Sequence, residues 1–208
     1  MQNCISELKG IEEMKKQVEF YFDVSSPAAY LAWARLPAII ERHDAELVYR
    51  PILLGGVFKA IGNSSAIVLD AKRNYLLMDM IRYARHLGIP YQMNPYFPMM
   101  TLALMRGAIA AKMEGASDAF LNIVFPAIWQ HGLNMNNPEV VTTVLNEGGF
   151  ETEQYLRSIK NDSIKQALIA ATAEAVDRGV FGAPTFFVDN EMFFGQDRLD
   201  FVDRALAA

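Results

Sequence analysis

Two short runs hold the residues best suited to chemistry, Ser25-Ser26-Pro27-Ala28-Ala29 and Gly182-Ala183-Pro184-Thr185. Ser26 stands directly before a proline. Proline at a first helical position, after a serine N-cap, marks a helix start. A hydroxyl there lies beside orphan N–H groups and the positive end of the helix dipole, which together stabilise an anion such as a thiolate. Taken alone, Ser26 is more simply a plain N-cap. Pro184 opens a candidate strand. It reads either as a trans proline on an edge or as a cis proline whose preceding residue offers backbone to an extended ligand. No histidine–aspartate arrangement marks a serine as an activated nucleophile. The one cysteine, Cys4, excludes an intramolecular disulfide and a cysteine-rich zinc site. It sits in a polar N-terminal tail and reads as irrelevant to catalysis. His43, His86 and His131 are too widely spaced for a metal cluster, and each is explained by the end of a helical stretch. No metal site is expected.

The elements that must position these residues follow from periodicity. Residues 18–24 are β-branched and aromatic and read as a buried strand. A helix runs from Pro27 towards His43, with Pro37 inside it as an expected kink or break. Residues 46–51 form a second strand, so the chain opens β-α-β, a parallel pair with a crossover helix. Residues 74–180 are then helical in period, without a strand. Helices are expected at 75–87, 101–113, 117–130 (with Pro126 as a kink), from Asn137-Pro138 to Gly148, 152–160 and 162–178. Residues 184–188 and 191–194 read as a hairpin about Asp189-Asn190, and a last helix spans 198–206. This order is that of an α/β thioredoxin-like domain with a large all-helical insertion. The expected division is a discontinuous thioredoxin-like domain at 18–64 and 180–208, a helical insertion at 65–179 and an N-terminal extension at 1–17. In that order Ser26 and Ala29 occupy the two positions of a redox Cys-x-x-Cys. With neither sulfur present, no protein disulfide can cycle there.

The runs 20–27 (Phe-Tyr-Phe-Asp-Val-Ser-Ser-Pro), Gly62-Asn63, 179–185 (Gly-Val-Phe-Gly-Ala-Pro-Thr) and 194–199 (Phe-Gly-Gln-Asp-Arg-Leu) are informative together. In this order they resemble the 2-hydroxychromene-2-carboxylate isomerases and their relatives, the kappa-class glutathione transferases, which have a DsbA-like thioredoxin fold. The resemblance runs from about Val18 to Leu206. It implies glutathione as cosubstrate and a homodimer. It implies Ser26 as the catalytic serine, with Ser25 in place of a residue that is often Leu. The tripeptide backbone is implied at Ala183, beside a cis Pro184. Its γ-glutamyl end is implied at Gln196 and Asp197, with Asn63 and Lys72 completing the site; Lys72 reads equally as a solvated lysine. Lys59 matches, within one residue, a lysine that meets the substrate carboxylate. Relatives acting on the aromatic substrate carry an Asn-Arg pair after Gly-Asn. Here Ser64-Ser65-Ala66-Ile67 lacks it, and Arg73 is the nearby candidate to compensate. Tyr96, Phe97 and Trp129 are candidate walls of an apolar substrate pocket, although aromatics in a helical block are commonly core.

Composition narrows the partners. Apolar residues make up 52% of the 208 residues and charged ones 21%, which excludes disorder. The net charge of −5 argues against a nucleic-acid partner. The uncharged stretches 87–105 and 119–138 are interrupted by Pro or by Asn and Gln, and neither reads as a membrane span. No export segment is legible, so a cytoplasmic location is expected.

A free thiol has a pKa near ~8.5, which leaves about 3% thiolate at pH 7. Lowering it by ~2 units requires roughly 2.7 kcal/mol of differential stabilisation. A hydroxyl donor at a helix N-terminus supplies that order of magnitude. Ser26 is therefore read as a donor to the glutathione thiolate. If the thiolate adds to a conjugated anionic substrate and leaves again, the net reaction is isomerisation; if it stays attached, the site is a transferase or peroxidase. A non-catalytic thioredoxin-like module holding an extended peptide at Ala183-Pro184 is the alternative of a different class.

Overall fold

Strand β1 (Gln17–Phe22) carries large apolar side chains on both faces, which places it inside the sheet. The structure is a computed structural model that describes residues 15–65 and 68–208; Cys4, Ala66 and Ile67 lie outside the described residues. β1 pairs in parallel with β2 (Glu46–Pro51), after the crossover helix α1 (Pro27–Arg42). On its other side it pairs antiparallel with β3 (Thr185–Val188), which pairs antiparallel with β4 (Glu191–Phe194). The sheet order is β2-β1-β3-β4. Among the described residues, seven α-helices come between β2 and β3: α2 (Leu54–Ala60), α3 (Asp70–Leu87), α4 (Leu102–Met113), α5 (Ser117–Trp129), α6 (Pro138–Glu147), α7 (Thr152–Ser158) and α8 (Asp162–Asp177). A 3-10 turn (Gln196–Arg198) leads into α9 (Leu199–Ala207). The fold is a thioredoxin-like α/β domain with a helical insertion.

One face of the sheet presents Val18, Phe20 and Phe22 to α1, α9 and most of the helical block. The Phe20 ring stacks on Phe186 at 5.5 Å across β1 and β3. The other face presents Tyr21 and Phe187 to Ile52, Val57 of α2 and Ala175 of α8. Arg178 covers that face: its guanidinium lies 4.0 Å from the Phe187 ring centre and pairs with Glu19 at 2.8 Å.

α1 continues through Pro37, so the possible break there does not occur, and α5 likewise continues through Pro126. Each proline removes one backbone hydrogen bond, while buried neighbours on both sides hold the helix together: Leu36 and Ile39 in α1, Phe125 and Ala127 in α5. Helix α2 was not foreseen, because Gly55-Gly56 is unfavourable for an isolated helix. Close packing favours glycine at one of these positions. A Cβ on Gly56 would stand 3.1 Å from the Thr172 methyl of α8. The Leu53 N–H donates to Thr172 Oγ1 at 3.0 Å, anchoring the start of α2 on the same residue.

Candidate active site

β1 delivers the chain to the N-terminus of α1 at the C-terminal end of the sheet. Ser26 is the N-cap, and its Oγ accepts from the Ala29 N–H at 3.1 Å. The same hydroxyl donates to the carbonyl of Ala183 at 2.9 Å, joining the helix start to the start of β3. The Ala183–Pro184 bond is cis. Ser26 is 6% exposed, so the cap is nearly covered. The two runs singled out in the sequence thus meet at one hydrogen bond.

Asp23 organises this junction, a role the sequence reading did not give it. Its carboxylate is buried. Oδ1 accepts from the Ser25 N–H and Ser25 hydroxyl, both at 2.9 Å, and from the Thr101 hydroxyl at 2.8 Å. Oδ2 accepts from the Leu54 N–H at 2.9 Å. One carboxylate therefore ties together the end of β1 and the starts of α2 and α4. Its signal in the sequence was an acidic residue inside an otherwise apolar strand run. Ser25 is consumed by this contact, and Ser26 is the serine that reaches Ala183.

The cis Pro184 side is closed by the turn after β4. The Gly195 N–H donates to the carbonyl of Pro184 at 3.0 Å. Gly195 has φ +103, and a Cβ there would stand 2.5 Å from Asp197 Oδ1, so glycine alone suits this position. Asp197 keeps a partly exposed carboxylate, paired with Arg198 at 2.5 Å. Gln196 is buried, its Oε1 has no partner among the described residues, and its carbonyl accepts from Arg35 at 2.8 Å. Arg35 also pairs with Asp200 at 3.0 Å. It locks the turn to α1, and sequence reading missed it.

Of the candidate wall residues, Trp129 is fully buried core: its indole N–H donates to the Val24 carbonyl at 2.9 Å, and the Phe97 ring packs 5.8 Å from it. Asn94 holds that loop by donating to the carbonyls of Ile128 and Leu133, both at 3.0 Å. Phe97 is half-buried and precedes a second cis proline, Pro98, while Tyr96 is exposed. Tyr30, one turn into α1, donates to the Pro90 carbonyl and accepts from Gln130; burial, partly offset by Gln130, raises its pKa.

Lys59, Asn63 and Lys72 are placed differently. Lys59 is in the last turn of α2 and Lys72 in the first turn of α3, both exposed and in no ion pair among the described residues. Asn63 is exposed and its side-chain oxygen accepts from the Ser64 N–H at 2.8 Å. Arg73 is taken up by Asp70 at 2.7 Å. No direct contact joins these groups to Ser26 or Ala183. No cluster of His, Cys, Asp and Glu suited to a metal occurs among the described residues. None of the described helices is long and apolar enough to cross a membrane.

The model of the DSBA-like thioredoxin domain matches residues 17–207. A 2-hydroxychromene-2-carboxylate isomerase of Pseudomonas putida is 30% identical over 91% of this chain and 93% of its own length. The chain belongs to the 2-hydroxychromene-2-carboxylate isomerase family, within the DsbA-like thioredoxin proteins. A solved structure of a family isomerase superposes with a TM-score of 0.84, at 30% identity, over 92% of this chain and 94% of the other. The human glutathione S-transferase kappa 1 is 26% identical over 93% of this chain and 92% of its own length. The protein is thus an enzyme of the isomerase and glutathione-transferase type.

Proposed function

We propose that the protein is a glutathione-dependent isomerase acting on an aromatic or conjugated carboxylate. The observation that carries this reading is the Ser26 hydroxyl, capping α1 and bonded to the carbonyl before cis Pro184. A donor suited to a thiolate and a backbone edge suited to a tripeptide share one bond. The remaining groups fit glutathione. Asp197 suits its ammonium, and the exposed Asn63 and Lys72 suit a carboxylate. Gln196 lies in the same turn, buried, with its Oε1 unpartnered among the described residues.

When bound, glutathione supplies a thiolate that adds to an electron-poor carbon and is later expelled unchanged, allowing a ring to open or a double bond to rotate in between. The chain's own contribution begins at Ser26. Its single hydroxyl proton is given to Ala183 in the free protein. A ligand N–H pairing with that carbonyl competes for it and releases the hydroxyl to turn towards the sulfur. Exchanging one hydrogen bond for another costs about 1 kcal/mol or less, so the reorientation is cheap. The Ala29 N–H holds Oγ in place throughout. Lys59 meets the substrate carboxylate, and Tyr96 and Phe97 exclude water from its apolar body.

The decisive experiment titrates the thiolate absorbance of bound glutathione. Ser26→Ala raises the thiol pKa by about one unit or more, equivalent to ~1.4 kcal/mol per unit, and leaves the tripeptide bound. Ser25→Ala does much less, because its hydroxyl serves Asp23. A larger effect of Ser25→Ala rejects the assignment. A second reading, a kappa-like transferase acting on another electrophile, is favoured by the missing Asn-Arg pair in 64–67. Mass balance separates the two: an isomerase returns all its glutathione and a transferase consumes it.

A further inference from the structure

A cavity of about 260 Å³ lies between α2, α4 and α8 and is lined by none of the residues assigned to glutathione above. Leu53, Leu102, Leu168, Ile169 and Val176 give it apolar walls. Its charged lining residues are two cations, Arg106 and Lys165; no acidic side chain lines it. Arg106 reaches the Ile159 carbonyl through Nη1 at 3.3 Å, while its Nε is buried with no acceptor among the described residues. A guanidinium in the lining of an apolar cavity suits a carboxylate occupant best. Lys165 is partly neutralised by Asp162 at 2.8 Å and stands towards solvent.

We propose that this cavity is a binding site for a small organic monoanion with a flat or branched apolar body. The carboxylate accepts from Arg106, Lys165 adds long-range attraction at the rim, and the body lies against the leucines of α4 and α8. The site does not depend on glutathione. It is placed to act on the Ser26 junction. Leu53 lines it, and the next residue, Leu54, donates its N–H to Asp23. Leu102 lines it, and the preceding residue, Thr101, donates its hydroxyl to Asp23. An occupant therefore leans on both segments that hold the Asp23 carboxylate, as an effector would.

The test uses the full chain, isothermal titration calorimetry, 2-naphthoate as the anionic probe and 2-naphthamide as its neutral counterpart. Arg106→Gln is expected to weaken 2-naphthoate at least tenfold and to change 2-naphthamide less than twofold. Ala173 and Ile169 are exposed positions of α8 that also line the cavity, so a large side chain at either can fill it without overpacking the core. Ala173→Trp and, independently, Ile169→Trp are expected to abolish the cavity's binding event for both probes. Lys59→Met and Tyr96→Ala are expected to weaken only a separate binding event at the proposed substrate site and to leave the cavity's event unchanged. The proposal is overturned if 2-naphthoate shows no saturable binding, if it binds both tryptophan variants as it binds the parent, or if Lys59→Met removes every binding event. Glutathione affinity measured on the same samples reports separately on the Ser26 site.

Discussion

The junction around Ser26 and the segment from Lys59 to Lys72 are built by opposite principles. At the junction, Asp23, Ser26, Thr101 and Thr185 are all buried, and each is hydrogen-bonded. In the second segment Lys59, Asn63 and Lys72 are exposed, and the side-chain bond of Asn63 is to its own neighbour. A group that must present one proton to one sulfur needs its oxygen held in place before the ligand arrives, so that only the proton has to turn. Groups that meet a carboxylate through charge tolerate looser placement. The comparison separates preorganised chemistry from adaptable binding within one proposed site.

Restoring lost chemistry tests it hardest. Ser26→Cys with Ala29→Cys, in a background without Cys4, puts sulfurs at the helix N-terminus and one turn along. The pair is expected to oxidise under a mild oxidant and to gain disulfide-exchange activity, which the parent lacks. Two thiols that stay free in a folded protein would show that the junction is not a redox-competent helix start.

Next in size is the removal of Asp23. Asp23→Ala leaves four donors of the junction without their acceptor. Urea denaturation is expected to show a loss of about 3 kcal/mol. Thr101→Val removes one of these bonds and should cost about 1 kcal/mol. A loss below ~0.5 kcal/mol for Asp23→Ala would mean that the junction is not the rigid half of the comparison.

The exposed segment should behave in the reverse manner. Lys72→Ala and Asn63→Ala are expected to change stability by less than ~0.5 kcal/mol. Each should weaken glutathione binding severalfold, in a manner that added salt diminishes for Lys72. A stability loss comparable to that of Asp23→Ala would place these residues in the fixed half.

The smallest effect lies away from the site and calibrates the others. Asp203 is held below the usual carboxylate range first by the hydrogen bond from His43, at 2.7 Å, and then by Arg42. Because its folded pKa is depressed, the stabilisation is present above the unfolded value of ~3.9 and is lost as pH falls through the folded value. The Asp203 side chain is 31% exposed, so solvent screening leaves a few tenths of a kcal/mol. Urea midpoints of His43→Ala and parent should differ at pH 6 and converge well below pH 4.

How much was legible in the sequence follows from the range of each interaction. Local signals sufficed for β1, the serine–proline helix start, the hairpin and most of the helical block, because caps, turns and periodicity act over a few residues. The pairing of Ser26 with Ala183 was reachable because two recognisable runs carried it. Helix α2 was not, since its glycines argue against a helix until Thr172 packs on Gly56. Pro37 allowed a break in α1 that buried neighbours prevented. Asp23, Thr101, Arg35 and Asn94 are ordinary polar residues in the sequence. Their roles come from partners far along the chain, and no local pattern encodes a partner. The amino-acid sequence by itself determined which groups could stabilise a thiolate and which redox chemistry was lost. Only the tertiary structure decided that the Ser26 proton rests on Ala183 and that Asp23 holds three segments at once. The physical reason is that hydrogen bonds are directional and short, so their partners are settled only when the whole chain has packed.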